Sequence, residues 1–109
     1  MERERSDTGG RRMKYILKHR KPIPCNDILK WSRWFETKHR RIRRTEVGEV
    51  VISTVFLGID HALSGPPELF ETMAFDKEMN ELHCERCSTH RQALNQHWAV
   101  VKMAKESGI

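Results

Sequence analysis

The chain has few of the features that mark secreted and membrane proteins. It contains three cysteines in 109 residues, an odd and small number that excludes a disulfide framework and is typical of a reducing compartment. No apolar run approaches the length of about 18 residues that a membrane-spanning helix needs. The first 12 residues are charged where a secretory signal would be apolar. The sequence therefore predicts a cytoplasmic protein with no disulfide and no membrane segment.

Charge is abundant, and it is distributed unevenly along the chain. Residues 1–44 contain 15 of the 20 Lys and Arg residues but 5 of the 15 Asp and Glu residues. Residues 45–109 contain the other 5 basic and 10 acidic residues. We expect the N-terminal part to attract polyanions and the C-terminal part to repel them.

A chain of this length closes one modest core, so we expect a single domain. Residues 1–12 contain one large apolar residue, Met1, and the pair Gly9-Gly10, which predicts a flexible N-terminal arm. Residues 13–109 are predicted to form one α+β domain.

The first part of that domain predicts a strand and a helix. Met13–His19 has the pattern of a short strand, and the two prolines in residues 20–24 are expected to end it. Asn26 or Asp27 can cap the following helix, which is expected to run to about Lys38. The spacing of its apolar residues predicts a buried side formed by Ile28, Trp31 and Phe35.

The middle of the chain predicts an antiparallel sheet. Arg40–Val47 and Val50–Leu57 are separated by Gly48-Glu49, a pair suited to a two-residue hairpin turn. Val50–Leu57 is apolar on both sides and predicts a central strand, whereas the basic residues of Arg40–Val47 predict an edge strand. A loop at Gly58–Pro67 precedes a third strand near Glu68–Phe75, and a fourth, shorter strand is predicted near Leu82–Cys87.

A last helix is expected from the cap Ser88 to about Glu106, with an apolar stripe that covers the sheet. The stripe consists of His90, Ala93, Leu94, His97, Trp98, Val101 and Ala104. The predicted fold is therefore α+β, with two helices packed on one face of a three- to five-stranded antiparallel sheet, in the order β-α-β-β-β-(β)-α.

The strongest functional pattern combines basic and aromatic side chains. Cations displace counterions from phosphates, and flat side chains stack on bases. Trp34 lies at the edge of the apolar stripe of its helix and is a better contact candidate than Trp31. The candidate binding residues are Lys30, Arg33, Trp34, Lys38, Arg40, Arg41, Arg43 and Arg44. The alternative is a solvated basic face above a core that contains both tryptophans.

A second pattern, Cys84 and Cys87 followed by His90, has the spacing of zinc ligands. The fourth ligand would have to be His97, His83 or Cys25. If residues 82–87 form a strand, Cys84 and Cys87 point to opposite faces, and the pattern is one buried and one surface thiol. We therefore expect no cofactor, with a zinc site as the alternative.

No pair of side chains has a spacing that specifies general acid–base or two-metal chemistry, so the protein is not expected to be an enzyme. Asp60-His61 is the one arrangement to inspect, because it lies in a long loop and such loops often contain functional residues. His97, on an apolar helix side, is expected to be a core histidine.

The runs STVFLGIDH at 53–61 and GPPELFETM at 65–73 resemble a family of small uncharacterised bacteriophage and prophage proteins. The resemblance covers roughly residues 13–104 and includes the turn at 85–89. The family has no assigned activity, so the resemblance implies a phage or prophage setting, the cytoplasm of a bacterial host, and no catalytic residues. Members of the family commonly have aromatic residues where this chain has Cys87 and His90, and this departure from the family pattern argues against zinc.

The element order is also similar to that of the double-stranded-RNA-binding domain, with Gly65-Pro66-Pro67 entering a strand that contains Phe70. That domain has a lysine cluster at the start of its last helix, where this chain has Ser88-Thr89-His90-Arg91.

These patterns together predict a non-enzymatic, phage-type binding protein that uses its basic surface against a polyanionic partner. The partner is predicted to be DNA or RNA, or else a host protein or protein–nucleic acid complex. The second kind of partner is expected if the protein inhibits host defence. One alternative is a structural phage protein that assembles into a homodimer or larger homo-oligomer through complementary acidic and basic faces. Another is a small zinc-binding module that uses Cys84, Cys87 and His90.

Overall fold

The computed structural model describes residues 12–107 and 109. Its elements are β1 (Tyr15–Lys18), β2 (Lys21–Pro24), α1 (Ile28–Thr37), β3 (Arg41–Val47), β4 (Val50–Phe56), β5 (Phe70–Phe75), β6 (Glu81–Cys87) and α2 (His90–Ser107). The predicted α+β class and element order are confirmed. The predicted arm at 1–12 lies outside the described residues, apart from Arg12. No helix in the described part of the chain is long and apolar enough to cross a membrane.

The main sheet is an antiparallel meander of four strands in the order β3-β4-β5-β6. Val47 pairs with Val50 across the turn at Gly48 and Glu49, and Gly48 has a φ of +59°, which the predicted two-residue turn requires. Because β4 has a neighbour on each side and β3 has one, the predictions of a central and an edge strand are confirmed.

One face of this sheet is covered, and the core lies there in two apolar clusters. The first consists of Ile52, Ala74, Val100, Val101 and Ala104, and the second of Phe56, Leu69, Phe70 and Ala93. Tyr15 and Leu17 of β1 and Trp34 of α1 pack against the second cluster. Both helices therefore pack on the same face, while the intervening side chains of β4 are only half-buried on the other.

The first strand ends at Lys18, before residues 20–24 as predicted, but Lys21–Pro24 then forms a second strand that was not predicted. β1 and β2 pair antiparallel around His19 and Arg20, whose φ values are both positive, 50° and 69°, as in a type I′ turn. Paired residues in an antiparallel ladder alternate between hydrogen-bonded and non-bonded positions. Counted from the turn, Pro22 and Pro24 fall at non-bonded positions, where a proline is compatible with an edge strand.

The cap of α2 is Thr89, one residue later than the expected Ser88. Thr89 Oγ1 accepts the backbone N–H of Gln92 at 3.1 Å, and Gln92 Oε1 accepts the backbone N–H of Thr89 at 3.1 Å and of Ser88 at 3.0 Å. This reciprocal arrangement is a capping box, in which the cap lies three residues before the Glu or Gln. Because that residue is Gln92, the cap is Thr89 rather than Ser88.

Candidate functional site

An aromatic pair on Gly58 fixes α1 to the rest of the domain. Trp31 and Phe35 stack with ring centroids 4.7 Å apart. Trp31 Nε1 donates to the carbonyl oxygens of Tyr15 at 3.0 Å and Gly58 at 3.1 Å. Gly58 has a φ of +79°, and a Cβ there would lie 3.0 Å from Phe35 Cε1. The helix approaches this closely because residue 58 has no side chain.

Cations lie over both rings of this aromatic pair. Lys14 Nζ lies 5.7 Å from the centroid of Trp31, and Arg40 Cζ lies 3.9 Å from the centroid of Phe35. Arg40 Nη1 also donates to the carbonyl oxygen of Phe56 at 3.2 Å. Arg40, one of the predicted contact residues, is thus engaged in holding α1 against the end of β4.

The side of α1 that was expected to be fully buried is only partly so. No residue of the helix is buried, and Ile28 is 53% exposed, so the prediction that Ile28 belongs to the buried side was wrong. Trp31 and Phe35 pack one side of α1 against Gly58. The neighbouring side of the helix is exposed to solvent.

On that neighbouring side lies a groove of about 430 Å³ between α1 and β1, here named the α1 groove. Its lining combines the apolar side chains of Ile16 and Leu29 with four of the eight predicted binding residues, Lys30, Arg33, Trp34 and Lys38. Trp34 also meets Phe56 edge-on, with centroids 5.6 Å apart. The ring of Trp34 therefore belongs both to the core boundary and to the groove wall.

The α1 groove is electropositive. In the described part of the chain, none of Lys30, Arg33 and Lys38 has a carboxylate oxygen within 4 Å. The carboxylate in the lining, Asp27, accepts the backbone N–H groups of Leu29 and Lys30, both at 3.1 Å. It compensates the positive end of the helix dipole, which leaves three cations without a counter-charge.

The sequence analysis missed the apolar part of this groove. Tyr15 and Leu17 pack on the second cluster, so the alternation of β1 directs Ile16 to the opposite side, where it lines the α1 groove. Leu29 is 78% exposed in the first turn of α1. The sequence does contain a sign of this surface. Ile16 and Leu29 are both apolar, although the strand and helix patterns place them outside the predicted buried sides.

The arginines of β3 do not join the α1 groove. Arg41 and Arg44 lie on the open face of the sheet, where Arg44 Nη1 pairs with Glu46 Oε2 at 2.7 Å. Arg43 is opposite the buried Thr54 and therefore lies on the α2 side. Side chains alternate along a strand, which separates Arg43 from Arg44, and a register shift between Arg41 and Arg43 places those two on opposite faces. With Arg40 held between α1 and the end of β4, the eight predicted residues do not form one patch.

The residues of the alternative zinc site, Cys84, Cys87, His90 and His97, do not converge. Cys84 lies on the open face with its Sγ 3.6 Å from Glu71 Oε2, whereas Cys87 packs on the second cluster. Among the described residues no group of three or more His, Cys, Asp or Glu could bind a metal ion. Burial and the nearby Glu85 raise the pKa of Cys87 to about 11, which keeps it a thiol at neutral pH.

His97 is fully buried, in polar surroundings that the sequence did not reveal. Its Nδ1 lies 2.8 Å from Thr54 Oγ1 and its Nε2 lies 2.8 Å from Thr45 Oγ1. Thr54 Oγ1 lies 2.6 Å from Thr72 Oγ1, which accepts a hydrogen bond from Gln96 Nε2 at 2.9 Å. Both ring nitrogens are therefore occupied by hydroxyl groups within the fold.

Asp60 and His61 serve the geometry of their loop. Asp60 Oδ1 accepts the backbone N–H groups of Ala62 at 2.8 Å and Glu68 at 3.0 Å. The backbone N–H of His61 donates to the carbonyl oxygen of Glu68 at 3.2 Å. These bonds hold residues 60–62 and Glu68 together across the loop. The Asp60 carboxylate thus serves in backbone hydrogen bonds.

The α1 groove is thus the place where predicted binding residues from the sequence meet. The chain was also compared with models of protein families, with curated protein sequences and with solved structures, and none of the three comparisons gave a match. The assignment of a function therefore rests on the chemistry of the described residues.

Proposed function

We propose that the protein is a non-enzymatic binding module of the phage type that binds a polyanion in the α1 groove. The supporting observation is that Lys30, Arg33 and Lys38 lie together beside Trp34 with no carboxylate within 4 Å in the described part of the chain. Neighbouring cations repel one another, and a bound polyanion relieves that repulsion while its own counterions are released.

Nucleic acid is the polyanion that this groove suits best. The three cations match backbone phosphates, and Trp34, Leu29 and Ile16 supply an apolar surface against which a base can pack. The volume of about 430 Å³ is that of a site for one nucleotide-sized group rather than a duplex. We therefore favour single-stranded DNA or RNA in the cytoplasm of a bacterial host over an acidic surface of a host protein.

Fluorescence anisotropy of a labelled single strand of about 20 nucleotides, titrated at about 50 and about 200 mM salt, tests this proposal. Replacement of Lys30, Arg33 and Lys38 by Ala together should weaken binding at low salt by about tenfold or more. The matched control replaces Arg41, Arg44 and Lys77 by Ala, which removes the same charge away from the groove. It should bind within about twofold of the wild-type protein, because these cations contact no phosphate.

Two results would overturn the proposal. A wild-type protein that does not bind the single strand at the lower salt concentration excludes nucleic acid and leaves an acidic protein surface as the partner. Equal weakening of the two triple variants shows that net charge alone, and not the α1 groove, determines binding.

A second candidate function is self-assembly, which the opposite charges of the two sheet edges favour. β3 contains Arg41, Arg43 and Arg44, while acidic residues lie on β6 and in the turn before it, namely Asp76, Glu78, Glu81 and Glu85. Each of these edges has one strand neighbour in the described fold, so a second copy can place its acidic edge beside β3. Light scattering at two salt concentrations tests this: a mass that falls to the monomer as salt rises supports it, and a monomer throughout excludes it.

A further inference from the structure

The outer surface of α2 contains a large aromatic ring that the fold does not bury. Trp98 was expected to cover the sheet, yet it is 45% exposed. Its ring meets His97 edge-on, with centroids 5.1 Å apart, and Arg43 Cζ of β3 lies 5.1 Å from its centroid. Two elements therefore position this ring at the surface, and a cation already lies beside it.

Basic residues surround Trp98 along the helix. At about 100° per residue, Arg91, Lys102 and Lys105 all fall within about 40° of Trp98 around the axis of α2. All three are exposed, and the stripe from Arg91 to Lys105 is about 21 Å long at 1.5 Å per residue. We name this set, with Arg43 and Trp98, the α2 stripe.

The acidic residues of the C-terminal half lie elsewhere in the fold. Apart from Glu106 at the end of α2, they occupy the open face of the sheet, the turns, the segment at 60–68 and β6, and β6 is the sheet edge farthest from β3. Within the described residues, no cation of the α2 stripe has a carboxylate oxygen within 4 Å. The expected repulsion of polyanions by the whole C-terminal half therefore does not apply to α2.

We propose that the α2 stripe is a second nucleic-acid-binding surface, which contacts a base of a single strand with Trp98 and its phosphates with Arg91, Lys102 and Lys105. This inference rests on the proposed function only for the class of ligand, because the α2 stripe shares no residue with the α1 groove. Base stacking on an exposed aromatic ring with neighbouring cations is the usual geometry of sequence-tolerant single-strand binding.

The test uses the same labelled strand of about 20 nucleotides with a second triple variant, Arg91→Gln, Lys102→Gln and Lys105→Gln. These side chains are exposed, so the fold should tolerate their replacement. We expect binding at low salt to weaken by about tenfold, because three phosphate contacts are lost. Trp98→Ala should weaken binding and Trp98→Phe should restore most of it, since either aromatic ring can stack.

Cross-linking identifies the contact directly. A strand that contains 5-bromodeoxyuridine is irradiated with the protein and the product is digested with trypsin, which places each tryptophan in a separate peptide: Trp31 in 31–33, Trp34 in 34–38 and Trp98 in 92–102. A cross-link in 92–102 supports the α2 stripe, and a cross-link in 34–38 supports the α1 groove.

The outcomes separate this inference from the proposed function. Weakening by the α2 variants with a cross-link in 92–102 supports the inference, whether or not the groove variants also weaken binding. Weakening by the groove variants alone, with no cross-link in 92–102, overturns the inference and leaves the proposed function intact. Absence of binding by the wild-type protein at low salt overturns both.

Discussion

Gly58 illustrates how much one residue determines. Its φ of +79° favours a residue without a Cβ, and its close contact with the ring of Phe35 leaves no room for one. Glycine is suited to both conditions. The carbonyl oxygen of the same residue accepts the indole N–H of Trp31 at 3.1 Å. The position of α1, and with it the α1 groove, depends on this residue.

Gly58→Ala should lower the free energy of unfolding by about 2–5 kcal/mol. The left-handed backbone contributes about 1–2 kcal/mol, and the close approach of Cβ to Phe35 contributes the rest. Gly65→Ala is the matched control, since Gly65 has a φ of +78° and nothing lies within 4 Å of its Cβ position, so it should lose only the first part. Urea denaturation measures both, and equal losses would contradict the role given to the contact with Phe35.

His97 should make the protein less stable in mild acid. Burial, and then the nearby Arg43, lower the pKa of His97 below its ordinary value of 6.5. Below pH 6.5 the unfolded chain binds a proton that the folded chain does not, so the free energy of unfolding is highest above that pH and decreases as the pH falls towards the folded pKa.

Urea midpoints measured between about pH 7.5 and pH 5.5 check this prediction. The wild-type midpoint should decrease towards the acid end, and His97→Gln should decrease less. His90 needs its own control, His90→Gln, because burial and Arg20 lower its pKa as well. A pH dependence in His97→Gln as steep as in the wild-type protein would rule out His97 as its source.

At the scale of elements, α1 has one side that packs on the domain and another that lines the groove, and the sequence pattern did not distinguish the two. One side docks through Trp31 and Phe35, and the neighbouring side lines the groove with Lys30, Arg33 and Trp34. The cap that begins the helix places a carboxylate in the same groove. The helix start and the electrostatics of the groove are therefore coupled through Asp27.

Asp27→Asn should strengthen binding of a single strand by about two- to fivefold at low salt, because it removes a negative charge beside the bound phosphates. Asn caps a helix about as well as Asp, so the thermal midpoint should hardly change. Asp27→Ala removes the charge and the cap together, and it should lower the free energy of unfolding by about 1 kcal/mol. An unchanged affinity in Asp27→Asn would indicate that the ligand lies outside the α1 groove.

At the scale of the whole molecule, the positions of charged residues in the fold do not follow the division of the sequence into a basic and an acidic half. Of the described basic residues of the first half, Lys30, Arg33 and Lys38 lie in the groove. Arg41 and Arg44 lie on the open face, and Arg43 lies on the α2 side. The basic residues of α2 lie apart from most acidic residues of the second half. Within the described residues, the α1 groove and the α2 stripe are thus cationic surfaces that lie apart from each other.

The salt dependence of binding should report how many of these surfaces a single strand contacts. Each phosphate contact contributes about −0.7 to the slope of log Kobs against log salt for single strands. Three groove cations alone predict a slope of about −2, and the added cations Arg91, Lys102 and Lys105 of the α2 stripe predict about −4. Titrations of the wild-type protein over several salt concentrations measure it, and a slope near zero would contradict both surfaces.

Local signals were sufficient for most of the elements. The turn at Gly48 and Glu49, the central place of β4 and the cap at Asp27 each depend on residues within a few positions of one another. The strand at Lys21–Pro24 was missed because Pro22 is compatible with a strand only at particular positions of a ladder, and its position depends on the turn at His19 and Arg20.

The sequence by itself determined which segments are helix or strand, apart from the strand at Lys21–Pro24. It also determined which strand is central and that the first 44 residues are strongly basic. Only the tertiary structure decided which cations lie together. Lys30 and Arg33 meet Ile16 because α1 docks on Gly58. Arg43 separates from Arg44 by strand alternation and from Arg41 by the register shift between them. Helix caps, tight turns and side-chain periodicity depend on residues a few positions apart, whereas a surface forms from contacts between segments that are distant in the chain.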